Sequence, residues 1–429
     1  MQRSRAVAAS LSYAWMLDLL FAGKPTVTWA LAGSLPPGYE RAEQFAVLPS
    51  GSGRSFLVSL ASRIGSASAL TSYNALRPGR RRLARGALGL GLRTGLAQPM
   101  LRTRIDVGIK VGASRERLAA DLLSEHLCQL LGTQSVIVAL SAGDGPYRKP
   151  VLQVFGTTGT PLGYVKVGWN DWTRDGVRRE ANALIACANR PMQIGVPRVL
   201  GLSAWQGLDL LVTAPLPRHV RGLGAAAVLP PVEALREICG LSAGTRGPLS
   251  DSLWWRGVRS RIRANVHESP ARSVLERAAG DLERGYGNVP LEFGFCHGDL
   301  VPWNLARLGE RLYAWDWESS APAAPIGFDA VHFHFQVAFV ERGVPLGEAA
   351  DSAARAAWPA LRDLGVAAAS RKLVATLHLL ELFLRHEEAR ASAGDADERF
   401  YPAITGVLEE RLACASAPAP GSTAVGSVA

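Results

Sequence analysis

Short apolar runs of strand character recur along the first half of this chain, at 43–48, 55–60, 105–111, 135–140, 151–155, 162–168, 196–200 and 208–213. Each is rich in Val, Leu, Ile or Phe and is bounded by Gly, Pro, Ser or Asn, which is how strands and their turns read. Pro49 to Gly53 predicts a hairpin turn between the first two runs, and Gly156 to Thr160 another. Helical spacing interrupts the strands. Leu118, Leu122, Leu123, Leu127, Leu130 and Leu131 predict a helix over 114–131, capped by Ser114 and ended by Gly132. A polar helix over 62–76 is expected, and a further one after Asn170 or Asp171, with Leu184, Ile185 and Ala188 as its packed face. Beyond residue 218 the pattern is mainly helical, with segments at 230–238, 269–284, 328–339, 347–364, 370–388 and 401–412. Trp254 and Trp255 lie among arginines and read as core rather than as a ligand platform.

Composition narrows the class. With 429 residues, 48% hydrophobic and 20% charged, the chain can bury large cores. A formal net charge of +10 fits anionic partners, and it equally fits an arginine-biased composition without functional meaning. The basic residues are dense at Arg77, Arg80, Arg81, Arg82, Arg85, Arg93, Arg102 and Arg104, with Leu83, Leu88, Leu90 and Leu92 between them. A solvated helix face packed on the rest of the protein is the favoured reading; weak contact with an anionic membrane or a protein through Arg77 to Arg104 is the functional one. Specific nucleic-acid binding is not expected, because no recognition motif and little aromatic interleaving accompany the arginines.

Five scattered cysteines without a CxxC pair argue against a disulfide framework and a zinc site, and suit a reducing cytoplasmic compartment. Met1 to Gly23 has early arginines and then an apolar run, as a secretory leader has, but Asp18 interrupts it, so an amphipathic N-terminal helix is expected. No apolar run is long enough to span a bilayer. The end of the chain, 414–429, is rich in Ala, Pro, Gly and Ser and reads as disordered.

The chemistry concentrates in Phe295-Cys296-His297-Gly298-Asp299-Leu300-Val301-Pro302-Trp303-Asn304 and in Leu312-Tyr313-Ala314-Trp315-Asp316-Trp317-Glu318. Two apolar runs each deliver an aspartate, and Asn304 follows Asp299 on the same loop. Phosphoryl transfer needs one acid that orients a hydroxyl and two oxygen ligands that hold magnesium on the phosphates. Protein kinases place these groups in the same order, with Arg where Gly298 stands and Asp-Phe-Gly where Asp316-Trp317-Glu318 stands. The variant resembles the aminoglycoside and choline kinase-like phosphotransferases over about residues 111–413.

That resemblance implies an α+β, bilobal, protein-kinase-like fold: a small antiparallel β N-lobe over 111–213 and an α-rich C-lobe over 214–413, with 1–110 as an extra α/β accessory domain. It implies ATP, with GTP as the alternative nucleotide, and Mg2+ as cofactors, and a small hydroxylated molecule as acceptor. Asp299 is the candidate catalytic base. Asn304 and Asp316 are the candidate magnesium ligands, and Glu318 a helper through a second ion or from behind. Lys166, on the strand at 162–168, would pair with the phosphates and be steadied by Glu180. Gly143 and Gly145, in the loop at 141–150, would cover the phosphates, although the loop lacks G-x-G-x-x-G and by itself reads more often as an ordinary hairpin. In Ala214-Pro215-Leu216-Pro217 the adenine contact would fall to Leu216, because Pro215 has no N–H. His297 reads as a structural brace. Asp329, in Pro325-Ile326-Gly327-Phe328-Asp329, would cap the following helix and support the loop. Glu381, Glu387 and Glu388 read as solvated helix charges. A protein kinase is disfavoured, since no Ala-Pro-Glu follows Asp316. The rival from another class is a pseudokinase, a nucleotide-binding scaffold recruiting a partner through the arginine-rich N-terminal region.

Overall fold

The computed structural model describes residues 13–48, 55–72, 76, 79–142, 149–223, 228–265, 270–393 and 406. It is a mixed α and β structure that divides into two compact units, Met1–Val228 with Asp299–Ser320, and Leu229–Gly298 with Ala321–Ala429.

The first unit is built on one nine-stranded antiparallel sheet. Its strands are β1 (Val27–Leu31), β2 (Tyr39–Leu48), β3 (Ser55–Ser59), β4 (Arg104–Lys110), β5 (Ile137–Ala142), β6 (Pro150–Phe155), β7 (Pro161–Gly168), β8 (Val199–Trp205) and β9 (Leu208–Thr213), in the spatial order β1-β4-β2-β3-β5-β6-β7-β9-β8. The described residues of 1–110 therefore belong to the same unit and the same sheet as the expected N-lobe, and not to a separate accessory domain. The edge of the hairpin β2–β3 is taken up by β5, with Leu57 opposite Leu140 and Val58 opposite Ala139, so one ladder runs across the expected boundary at 110. An open hairpin edge would leave its backbone groups unpaired, and continuing the sheet removes that cost.

One core lies on one face of this sheet. It joins Phe45, Leu57, Ile105 and Val107 to Leu140, Leu152, Val165 and Val167, and it includes Met16, Leu17, Leu20 and Phe21 of the first helix, α1 (Ala14–Phe21). The N-terminal helix thus spends its apolar residues on internal packing. On the other face Leu48, Val58, Leu70, Leu92, Ile137 and Phe155 form a second cluster under α2 (Arg63–Thr71) and α3 (Gly79–Thr94). Ser62 caps α2 by accepting from the Gly65 N–H at 3.1 Å. The expected helix over 114–131 breaks at Leu122, which is extended, giving α4 (Arg115–Asp121) and α5 (Leu123–Leu131); Gly132 ends α5 in the left-handed region. Helix α6 (Asp171–Ala188) starts with a reciprocal capping box in which Thr173 N–H donates to Asn170 Oδ1 at 2.9 Å and Asn170 N–H donates to Thr173 Oγ1 at 3.0 Å. Its packed face is Val177, Ala181 and Leu184; Ile185 and Ala188, expected inside, are exposed. A three-stranded sheet of β10 (Arg221–Gly222), β13 (Leu305–Leu308) and β14 (Arg311–Ala314) completes the unit.

The second unit is mainly helical: α7 (Val232–Cys239), α8 (Leu253–Asn265), α9 (Pro270–Tyr286), α10 (Phe328–Gln336), α11 (Leu346–Ala356), α12 (Trp358–Asp363) and α13 (Arg371–Ala393). A small sheet pairs β11 (Thr245–Pro248), β12 (Pro290–Cys296) and β15 (Ala321–Pro325). The expected helix at 347–364 divides at Ala357, and α10 runs into a single π turn at Val337–Glu341. Trp254 and Trp255 are buried, and Trp254 meets Phe328 edge-on at 5.4 Å between ring centres, as core residues do. The expected helix at 401–412 and the tail at 414–429 lie outside the described residues, apart from the single helical residue 406.

Candidate active site

Strand alternation puts the first lysine in place. Val165 and Val167 point into the core with no exposure, so Lys166 between them points to the opposite face. Lys166 pairs in register with Leu211, and Leu211 packs on Val177 and Ala181 of α6. Helix α6 therefore lies over the face that carries Lys166, and Glu180, adjacent to Ala181, meets it. The expected ion pair between Lys166 and Glu180 is present. Glu180 is buried, which is tolerable for a carboxylate only when a cation pairs with it.

The second partner of Lys166 is Asp316. Strand β14 ends at Ala314, and Asp316 follows with φ +70° and ψ 54°, in the left-handed region that few residues other than glycine adopt. That turn aims the carboxylate back at the lysine. Trp317 anchors it: its ring is fully buried and its indole N–H donates to the Ala314 carbonyl at 3.3 Å. Arg179 of α6 fixes the far side by donating to the Glu318 carbonyl at 3.0 Å. Burial on its own would lower the pKa of the Lys166 ammonium, but Asp316 and Glu180 outweigh it and hold the group protonated far above the ordinary lysine range.

Asn304 reaches the same place through a hairpin. Leu305 of β13 pairs with Ala314 of β14, and the N–H of Trp315 donates to the Asn304 carbonyl at 3.2 Å. The open end of β13–β14 thus presents Asn304 beside the residue that precedes Asp316. The Asn304 side chain donates Nδ2 to Asp299 twice, to its carbonyl at 3.1 Å and to Oδ2 at 2.9 Å. With its N–H group spent on Asp299, Asn304 keeps its amide oxygen as a ligand atom. Asp299 is half-buried on this loop. Sequence reasoning placed Asp299, Asn304, Asp316, Lys166 and Glu180 in one site, and the structure links them into two chains of contacts: Asp299 to Asn304, and Glu180 to Lys166 to Asp316.

The segment entering Asp299 is held within the second unit. Asp329 accepts from the His297 N–H at 2.9 Å and the Gly298 N–H at 2.8 Å, and Arg385 donates to the Gly298 carbonyl at 2.9 Å. Asp329 makes no capping bond; it lies in the first turn of α10, whose N-cap is Gly327, and its whole carboxylate serves the loop. Gly298 has φ +78°, which explains why glycine stands where a protein kinase carries arginine: a side chain there would be strained. His297 is fully buried, consistent with a structural part.

Two acidic groups join Asp316. Ligand oxygens of Glu180, Asp316 and Glu318 all lie within 4.8 Å of one another, a set of hard donors that suits magnesium or calcium rather than a soft metal. A second lysine, Lys149, was missed in the sequence. Val151 lies opposite Lys166 in the β6–β7 ladder, so by alternation Lys149, two residues earlier, falls on the same face. It pairs with Glu318, whose carboxylate also comes within 3.9 Å of Lys166. Burial lowers the Lys149 ammonium to about 8, and the neighbouring Lys166 charge adds to that, against Asp316, Glu180 and Asp299, which raise it. The register of the hairpin was the signal that could have found it.

Gly143 and Gly145, expected over the phosphates, lie outside the described residues. Leu216 is half-buried and packs beside Val220, Ala306 and Tyr313, so its side chain serves a local core. Glu381 and Glu388 are not solvated: both are buried and clasp Arg261. Glu387, also buried, pairs with Arg390.

The chain resembles small-molecule kinases. Aminoglycoside phosphotransferase APH(4)-Ia, as a thermostable mutant in its apo form, is 14% identical, with a TM-score of 0.48 over 69% of this chain and 100% of that one. Choline kinase LicA from Streptococcus pneumoniae is 13% identical, with a TM-score of 0.40 over 62% of this chain and 89% of that one. LicA in complex with AMP is 15% identical, with a TM-score of 0.45 over 68% of this chain and 97% of that one. No protein-family model and no curated protein matches the sequence. At these identities and scores the residues described above, and not the likeness, carry the functional argument.

Proposed function

We propose that this protein is an ATP- and magnesium-dependent phosphotransferase that moves the γ-phosphoryl group to a hydroxyl of a small molecule. One observation carries the reading: a lysine held between a buried glutamate and a left-handed aspartate, next to a loop on which an asparagine binds the only neighbouring aspartate of the HGDxxxxN motif. A purely structural ion pair has no use for a strained aspartate that keeps about a third of its side chain exposed, or for a third carboxylate beside it.

In this reading Lys166 binds the phosphates and Glu180 fixes its flexible stem. Asp316 and the amide oxygen of Asn304 would hold magnesium, helped by Glu318, whose carboxylate oxygen lies within 4.8 Å of that of Asp316. The ion, when bound, neutralises charge on the phosphate oxygens. Asp299 accepts a hydrogen bond from the acceptor hydroxyl and takes its proton as the new P–O bond forms. The Asn304 bond to Oδ2 orients that carboxylate. The bond from phosphorus to the departing oxygen breaks as the new one forms, and ADP carries the leaving charge.

Calorimetry with Mg-ATP and Mg-GTP tests the site before any acceptor is known. Wild type binds a nucleotide only with magnesium, and Asp316→Ala abolishes the metal-dependent part. No binding of either nucleotide by folded wild-type protein would sink the reading.

A further inference from the structure

The net charge of this chain traces to one stretch. From Gln44 to Ile105 there are ten arginines and no aspartate, glutamate or lysine, while the other 37 basic residues are matched by all 37 acidic ones. The whole excess of +10 therefore belongs to one segment, most of it on and around α3.

Two faces of α3 behave differently. The inner face is settled: Leu92 is buried, Leu88 packs against the cluster under the sheet, and Arg85 donates to the Leu70 and Ala69 carbonyls at 2.8 and 3.3 Å, capping α2, with its guanidinium over the Phe56 ring. The outer face is apolar as well. Leu83, Ala87, Leu90 and Thr94 follow one another at helical spacing and all are exposed; Leu83 is 75% and Leu90 64% accessible. Just beyond, Leu96 and Met100 are 78% and 77% accessible. Arg80, Arg82, Arg93 and Arg102, also exposed, flank these side chains. Solvated helix faces carry charges, not leucines, so the internal-packing reading accounts for only half of this helix.

We propose that the outer face of α3 and the turn after it dock on an anionic lipid bilayer, lying in the interface with Leu83, Leu90, Leu96 and Met100 among the acyl chains and the arginines at the headgroups. Charge complementarity selects an anionic partner, since a segment without a single acid repels a basic one. The apolar side chains select lipid over nucleic acid: exposed leucines and a methionine gain nothing from phosphates or base edges, and no aromatic side chain on which a base could stack stands between these arginines. Docking is peripheral, because no described helix is long and apolar enough to cross a membrane.

Vesicle flotation of the full chain tests this. Phosphatidylcholine vesicles containing phosphatidylserine carry the protein, pure phosphatidylcholine vesicles leave it behind, and added salt weakens the association. Leu83→Ser with Leu90→Ser, both at exposed positions and therefore compatible with folding, lowers binding about tenfold while the salt dependence stays. Arg80→Gln with Arg93→Gln lowers it and flattens the salt dependence. Flotation unchanged in the leucine variant, no flotation with phosphatidylserine at low salt, or tighter binding to a random DNA duplex than to these vesicles at equal salt overturns the proposal.

Discussion

Lys166 and Arg261 are each enclosed by two carboxylates, and the two clusters are built for opposite purposes. Arg261 donates Nη1 to both oxygens of Glu381 at 2.9 Å, and Nε and Nη2 to the two oxygens of Glu388 at 2.8 and 2.7 Å. A planar fork meets two carboxylates that are themselves buried, and the geometry is closed. Lys166 is a point charge on a flexible stem. Only Glu180 of its partners is fully buried; Asp316 keeps about a third of its side-chain surface exposed, and Glu318 waits 3.9 Å away. A carboxylate that is half open and has a neighbour of the same sign can exchange the lysine for a metal ion, whereas Glu381 and Glu388 have nothing left to give. The chemistry of a charged cluster is decided by which of its atoms remain available, not by how many charges it holds.

Asp299→Asn breaks the comparison most deeply. Asparagine still offers an oxygen to Asn304, so the loop survives, but it cannot take a proton. Turnover falls by ~10²–10⁴ while Mg-nucleotide binding by calorimetry stays within about twofold of wild type. A variant with full turnover removes Asp299 from the mechanism. Arg261→Met acts on the other cluster. It takes Arg261 from both buried carboxylates and leaves Glu381 only Arg385, at 3.6 Å, which costs about 3–5 kcal/mol of stability by urea titration. The folded fraction still binds Mg-nucleotide as wild type does. A loss below 1 kcal/mol would show that this cluster is not the closed one.

The sequence revealed the site better than the frame around it. His297-Gly298-Asp299 with Asn304, and Asp316 after an apolar run, are legible because each group is carried by a short local element. Lys166 and Glu180 are legible because a strand and the next helix adjoin in sequence and in space. The extent of the sheet was not, since β3 pairs with β5 across 77 residues of intervening chain, and an edge pairing leaves no mark in either strand's own pattern. The glutamates of α13 misled for the same reason: Arg261, their partner, is 120 positions from Glu381. The break at Leu122 was hidden because its leucines keep helical spacing through it.

Lys149 offers the finest test, because it stands on the open cluster and yet belongs to neither chain of catalytic contacts. Its ammonium faces Glu318 and shares a sheet face with Lys166. A phosphate entering beside Lys166 would meet two positive charges below pH 8 and one above it, since burial and the Lys166 charge bring Lys149 down to about 8. Raising the pH from 7 to 9 therefore strips the proton from Lys149 and leaves Lys166 charged, and nucleotide affinity weakens across that interval. Lys149→Met removes the same charge at every pH. The variant binds Mg-nucleotide about tenfold more weakly at pH 7, equivalent to about 1.4 kcal/mol, and loses most of the pH dependence between 7 and 9. Calorimetry at both pH values separates the outcomes. Equal affinity of the two proteins at pH 7 would leave Lys149 as a tether for Glu318 alone, and a pH dependence kept in the variant would assign the titration to another group.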